Sequence, residues 1–212
     1  MKALCIFLLT CMSATYMYAQ ELKEIKLNTP DKTRGSVVMK ALADRKSVRE
    51  YDTQPLSLKD LSDLLWAANG VNREDGRRTA PTASNKQEVD VYAFLPEGAY
   101  FYDAQAHALK PIAKGDFRGA VAGRQDFVKT APVCLVIVSN LEKLGDPSVE
   151  QTKLMAAVDV GIVTQNINVF CAAVGLSVVP RATMDQAEIR RILKLSDTQL
   201  PLMNTPLGYP KK

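Results

Sequence analysis

Two arginines four residues apart, with a serine midway between them, stand in Arg45-Lys46-Ser47-Val48-Arg49. In extended backbone alternate side chains share a face, so Arg45, Ser47 and Arg49 can converge on one anionic group. Two planar guanidinium forks and a hydroxyl suit such an anion, although the same pattern also describes a solvated charged face. A second group is Ala80-Pro81-Thr82-Ala83-Ser84-Asn85, small hydroxyl and amide side chains where a helical turn is expected to begin. Such residues serve equally as caps or as partners for a ligand's hydroxyls or phosphate. A third is the turn Arg181-Ala182-Thr183-Met184, between a short strand and a helix, whose main-chain N–H groups can face a ligand. Arg124 and Gln125 stand just ahead of an apolar strand.

Other chemistries find little support. The single histidine, His107, lies in a polar turn far in sequence from any carboxylate or cysteine cluster, which disfavours a metal site and nucleophilic Ser-His-Asp or Cys-His catalysis. Met1-Lys2, the apolar run 3–9 and the small and polar residues up to Ala19 read as an export signal of residues 1–19. The alternative, a lipoprotein anchor at Cys11, matches poorly because Thr10 precedes it. A bacterial periplasmic or secreted location follows as the expectation. Beyond the leader only Cys134 and Cys171 remain, both in apolar surroundings, and they read as buried thiols. A net charge of +4, scattered along the chain, does not indicate nucleic acid. No later run of 18 or more apolar residues is present, so no stable membrane span is expected.

The elements that must position these groups are organised around residues 149–184. Leu154, Ala157, Val158, Gly161, Ile162, Val163, Ile167, Val169, Phe170, Ala173 and Val174 recur at helical steps on more than one face. Such a helix is either central or shared between subunits. It should close at Gly175, and Asp159, Gln165, Asn166 and Asn168 each need a hydrogen-bond partner if buried. A strand at 176–180 and a helix at 185–195 follow. Upstream, residues 20–34 read as a polar arm and 35–212 as one domain. Short helices are expected at 35–43 and at 58–68, the latter capped by Ser57, and a further helix at 120–127. Strands are expected at 89–95 and 133–138 (a continuous apolar run, hence central), a hairpin at 100–112 and a last extended segment at 202–209.

Taken in order, Arg45-Lys46-Ser47-Val48-Arg49, Leu64-Leu65-Trp66-Ala67-Ala68-Asn69-Gly70, Arg78-Thr79-Ala80-Pro81-Thr82-Ala83-Ser84-Asn85, Gln125 ahead of Ala131-Pro132, Gly175-Leu176 and Gly208-Tyr209-Pro210 resemble the nitroreductase-like flavoproteins. The likeness is greatest to the short branch related to the heterocycle-forming (thiazole/oxazole) dehydrogenases. That resemblance implies an α+β fold with a mixed, mainly antiparallel central sheet flanked by helices, and an intertwined homodimer binding FMN at its interface. By the same resemblance Arg45 and Ser47 hold the phosphate and ribityl chain, and Arg49 lies by the pyrimidine edge, where a positive charge stabilises the reduced, anionic flavin. Gln125, or its neighbour Arg124, bonds the same edge. Pro81, Thr82, Ser84 and Asn85 come from the other subunit. A backbone N–H after Pro180-Arg181, at Ala182 or Thr183, meets flavin N5. Many relatives carry glutamate and glycine where this chain has Ala182-Thr183, so only the backbone contact carries over. Relatives often supply further basic phosphate ligands near the carboxyl end, whereas this chain has Lys211-Lys212 there, which either substitute for them or form a frayed tail. The implied activity is transfer of hydride or electrons through the flavin, from NAD(P)H or another donor, to a nitroaromatic, a quinone or an azoline-type ring. The rival reading is a flavin-binding protein without turnover.

Overall fold

The computed structural model describes residues 21–212, and the expected leader at 1–19 lies outside them. In chain order the elements are β1 (Ile25–Lys26), α1 (Val38–Asp44), α2 (Leu58–Asn69), β2 (Val89–Leu95), β3 (Gly98–Asp103), β4 (Ala108–Lys114), α3 (Arg118–Ala122), β5 (Val133–Asn140), α4 (Leu141–Leu144), α5 (Glu150–Val174), β6 (Ser177–Val178), α6 (Gln186–Leu193) and β7 (Gln199–Gly208), with 3-10 turns at Ala83–Asn85 and Asp126–Thr130. The strands form one sheet in the order β1-β4-β3-β2-β5-β7-β6. Every strand pairing among the described residues is antiparallel, so the sheet is antiparallel where a mixed one was expected.

The continuous apolar run of β5 has a simple cause: both faces of the sheet are covered. Val133, Leu135 and Ile137 point to one side, into a core with Leu61, Leu64, Leu65 and Ala68 of α2 and Val160, Val163, Ile167 and Cys171 of α5. Cys134, Val136 and Val138 point to the other, into a core with Val121 and Ala122 of α3 and Ile189, Ile192 and Leu193 of α6. The two cysteines are free and buried, as expected, and burial raises the Cys134 thiol to about 12 and pushes Cys171 up as well.

Local signals account for most boundaries. Ser57 Oγ accepts the Asp60 N–H at 3.0 Å and starts α2. Gly175, in the left-handed region at φ 78°, closes α5. The helix expected at 120–127 is broken instead. Gly123 takes φ 56°, ψ −113°, a conformation for glycine alone, and the chain turns there between α3 and the 126–130 turn. This leaves Arg124 and Gln125 on an exposed corner.

The arm is tied to its own chain. β1 pairs with β4, the Asn28 N–H donates to Ser62 Oγ at 2.8 Å, and Arg34 bonds both Asp60 and Asp63 of α2. His107, at the hairpin tip, contacts Tyr102 OH and the Asn28 carbonyl, each at 2.9 Å, and so pins the arm to the hairpin.

α5 is buried on one side only. Ala156, Asp159, Val160, Val163, Thr164, Ile167, Asn168 and Cys171 face the sheet and α2, whereas Leu154, Ala157, Val158 and Gly161 are exposed. α1 behaves alike: only Ala41 is buried, and Val37, Val38, Met39 and Leu42 stand in solvent. The many-sided helix anticipated from sequence therefore has an apolar side that its own chain leaves uncovered.

Candidate functional site

The groups singled out in sequence assemble into two clusters rather than one. The first gathers at the end of the sheet where β6 and β7 meet. The segment carrying Arg45, Ser47 and Arg49 runs along β6, the Val48 N–H donating to the Val178 carbonyl at 2.9 Å. Tyr51 closes the segment: it bridges to Pro210, and its hydroxyl bonds the Val48 and Pro206 carbonyls at 3.1 and 3.2 Å. Lys211 follows Pro210 in the chain and is exposed. Lys46 and Val48 line a cavity of about 550 Å³ with Ala172, Gly175 and Ser177; Arg45, Ser47 and Arg49 are not part of its lining.

Residues 180–183 belong to the same end. Arg181 is buried, and its guanidinium turns inward rather than towards solvent. It donates to Gln125 Oε1 at 2.8 Å, to the Val121 and Ala122 carbonyls at 3.1 and 3.0 Å, and to Asn204 Oδ1 at 2.7 Å, with its guanidinium carbon 5.6 Å from the centre of the Phe127 ring. No carboxylate among the described residues pairs with it, and burial pulls its pKa down. Arg181 thus acts on its surroundings by holding Gln125 and by its charge, since its donors are already engaged. Ala182 and Thr183 follow it onto the surface, and their N–H groups have no partner among the described residues. Thr183 and Arg124 together line a second cavity of about 600 Å³. Pro180, half-buried, ends the strand and aims this turn.

The arginines test whether this end suits an anionic, planar ligand. Among the described residues Arg45, Arg49 and Arg124 are the only arginines whose side chains make no hydrogen bond or ion pair; Arg34, Arg73, Arg77, Arg78, Arg118, Arg181, Arg190 and Arg191 all do. Guanidinium forks left open beside two unpaired main-chain N–H groups fit a phosphate and a carbonyl-rich ring edge.

The second cluster lies elsewhere. Pro81, Thr82, Ser84 and Asn85 hang on the opposite half of α5, where the Ala83 N–H donates to Asp159 Oδ2 at 2.7 Å. Ala83 and Ser84 line a cavity of about 170 Å³ with Leu144, Gln151, Thr152 and Met155. From Thr152 and Asp159 to Ala172, at 1.5 Å per residue, is roughly 20–30 Å along the helix, so one chain keeps the clusters apart.

Residues 42–209 match the model of the nitroreductase family. The chain belongs to the nitroreductase family. It is 32% identical over 176 residues to a nitroreductase-family protein of Methanocaldococcus jannaschii, covering 79% of this chain and 88% of that protein. A solved nitroreductase-family structure from Ralstonia eutropha superposes with a TM-score of 0.83 at 37% identity, covering 89% of this chain and 90% of the other. An FMN reductase [NAD(P)H] of Bacillus subtilis is 26% identical over 187 residues, 82% of this chain and 66% of that enzyme. This member of the family is therefore an oxidoreductase.

Sequence reasoning missed Asn204 and Tyr51, which hold the site's frame, and Glu88, which lies behind the second cluster. Asp159 was marked only as needing a partner. Of the other polar residues noted on α5, Asn166 bonds the Ala68 carbonyl, Asn168 the Thr164 carbonyl, and Gln165 is exposed.

Proposed function

We propose that two copies of this chain pack α5 against α5 and enclose one FMN at each end of the interface, and that the assembly passes electrons to a small organic acceptor. The observation that carries this reading is the separation of the two clusters on α5, together with the uncovered apolar side between them. If two α5 helices cross antiparallel near Val158 and Gly161, Ala172 of one lies beside roughly residue 147 of the other, which brings the 81–85 segment of one chain to the arginines of its partner. A Cβ added at Gly161 meets nothing within 4 Å, so a second helix could approach closely there.

In such a site Arg45 and Ser47 would hold the phosphate, with Lys211 alongside. Arg49, Arg124 and Gln125 would hold the pyrimidine edge, and the N–H of Ala182 or Thr183 would face N5. Bound FMN supplies the two-electron chemistry, N5 being the atom that takes hydride. The chain's own work is positioning and electrostatics: the fixed charges of Arg49 and Arg181 favour the electron-rich form of the ring, and burial between subunits keeps water from it. Nitroaromatics, quinones and, through the sequence's resemblance to the heterocycle-forming branch, azoline-type rings are the acceptors this reading admits. With the 1–19 leader removed the enzyme would act outside the cytoplasm, where a donor other than NAD(P)H suits it.

An absorbance spectrum of the purified protein tests the proposal, with NADH, NADPH and dithionite added in parallel. A flavin band with one FMN per chain is expected, reoxidised faster when an acceptor is added. A colourless protein that takes up no FMN contradicts the reading. A flavin that dithionite reduces but no acceptor reoxidises would instead indicate binding without turnover.

A further inference from the structure

Glu88, immediately before β2, is 0% exposed, and neither of its carboxyl oxygens has a hydrogen-bond partner among the described residues. Its backbone is fixed, the carbonyl accepting the Asn140 N–H at 3.0 Å. Beside it stands Asp159 of α5, 3% exposed, whose Oδ2 holds the Ala83 N–H. Two neighbouring acids in one dry site cannot both be ionised cheaply. The other charged groups nearby do not relieve them. Lys143 of α4 rests 3.4 Å from the Gln87 carbonyl, Arg78 bonds Gln87 Oε1 at 3.2 Å, Lys86 is exposed, and Asp90 on β2 is itself raised by burial. Burial first, then the neighbouring Asp159, raises Glu88 to about 7.

The segment these acids hold is not relaxed. Ser84, Asn85 and Gln87 lie at φ 50°, 53° and 49°, the left-handed region, which asparagine visits readily but which costs Ser84 and Gln87 about 1–2 kcal/mol each. Thr82 Oγ1 accepts the Gln87 N–H at 2.9 Å, closing the segment on itself, and the Ala83–Asp159 bond ties the closed segment to α5.

We propose that Glu88 and Asp159 share one buried proton, and that this proton keeps the 81–85 segment in the shape that meets the partner's flavin, so that flavin retention depends on pH. The second half rests on the function proposed above. With the proton on Glu88, its O–H donates to Asp159, while the other oxygen of Asp159 accepts from Ala83. Loss of the proton to solvent sets two carboxylates side by side. Asp159 then turns away from Ala83, and Ser84 and Asn85 lose their support.

Two measurements test this on the flavin-loaded protein. The first is an infrared titration of the protonated-carboxyl C=O band between pH 5 and 9. A band that disappears across about pH 7 in the wild type and is missing in Glu88→Gln is expected; no such band overturns the shared proton whether or not flavin is bound. The second is the rate of FMN release against pH. Wild type should release about tenfold faster at pH 8.5 than at pH 6, the free energy of about one pKa unit. Glu88→Gln, which keeps a donor towards Asp159, should stay slow and flat, and Glu88→Ala should be fast throughout. A flat wild-type profile overturns the latch. If Asn85→Ala also leaves release unchanged, the placement of the segment at the flavin falls with it; if Asn85→Ala speeds release, the latch alone falls.

Discussion

Glu88→Gln should make the protein more stable, and by an amount that depends on pH. In the unfolded chain a glutamate releases its proton near its ordinary value of 4.5, whereas buried Glu88 keeps it to about 7. Between these values the unfolded state binds fewer protons than the folded one, so each step up in pH favours unfolding, and the loss levels off once both states are ionised. The gap of roughly 2.5 units, at about 1.36 kcal/mol each, sets an upper limit of about 3 kcal/mol. Glutamine is close to isosteric, does not ionise, and can donate to Asp159. Wild type and variant should therefore have similar stability at pH 4.5 and separate steadily to pH 7, the variant then leading by up to about 3 kcal/mol, or about 6–12 °C in Tm for a domain of this size. Thermal melts at fixed protein concentration, taken at half-unit intervals from pH 4.5 to 8.5, provide the check. Parallel curves for the two proteins across that range would refute the reasoning, since they would mean that Glu88 titrates alike folded and unfolded.

Other perturbations reach the remaining claims. Arg49→Ala removes an unpaired guanidinium from the proposed flavin edge, so the Kd for FMN should rise about 10- to 100-fold, the worth of one hydrogen bond to a charged group, and the bound flavin's reduction potential should fall; fluorescence titration and potentiometry read both. Arg181→Leu strips the donors from the buried Val121 and Ala122 carbonyls and Asn204 Oδ1 and should be destabilising by urea denaturation, by about 1–3 kcal/mol for an acceptor left unsatisfied. Val158→Asp places a charge on the exposed side of α5, where valine is 46% exposed in the single chain, and should shift the protein towards monomer in sedimentation while leaving its circular dichroism unchanged. Cys134 and Cys171, buried with raised pKa values, should not react with thiol reagents until the protein unfolds.

Much of this architecture was legible because its signals are local. The strand expected at 89–95 is β2 to the residue, and it stops at the turn that begins with Pro96-Glu97. Ser57 and Gly175 announced the ends of α2 and α5 through capping chemistry alone. The helix at 120–127 failed at Gly123, because helical spacing carries no information about a positive φ that only the tertiary contact of this corner demands. The exposed side of α1 has a related cause: an apolar stripe says that a face is to be covered, not whether its own chain covers it. The site divides in the same way. Arg45, Ser47 and Arg49 could be picked out by spacing, whereas Arg181's inward turn depends on Gln125 and Asn204, and Glu88's acid partner lies 71 residues further along on another element.

The central claim, that each flavin site draws residues from two chains, is tested by mixing variants. One chain carries Arg45→Ala and Arg49→Ala, the other Thr82→Ala and Asn85→Ala, and each alone should bind FMN weakly. In a mixed dimer one site inherits both lesions and the other inherits none, so differently tagged chains purified as a pair should bind one FMN per dimer with near wild-type affinity. A mixed pair that binds no better than either parent would place both clusters in the same chain's site and contradict the account.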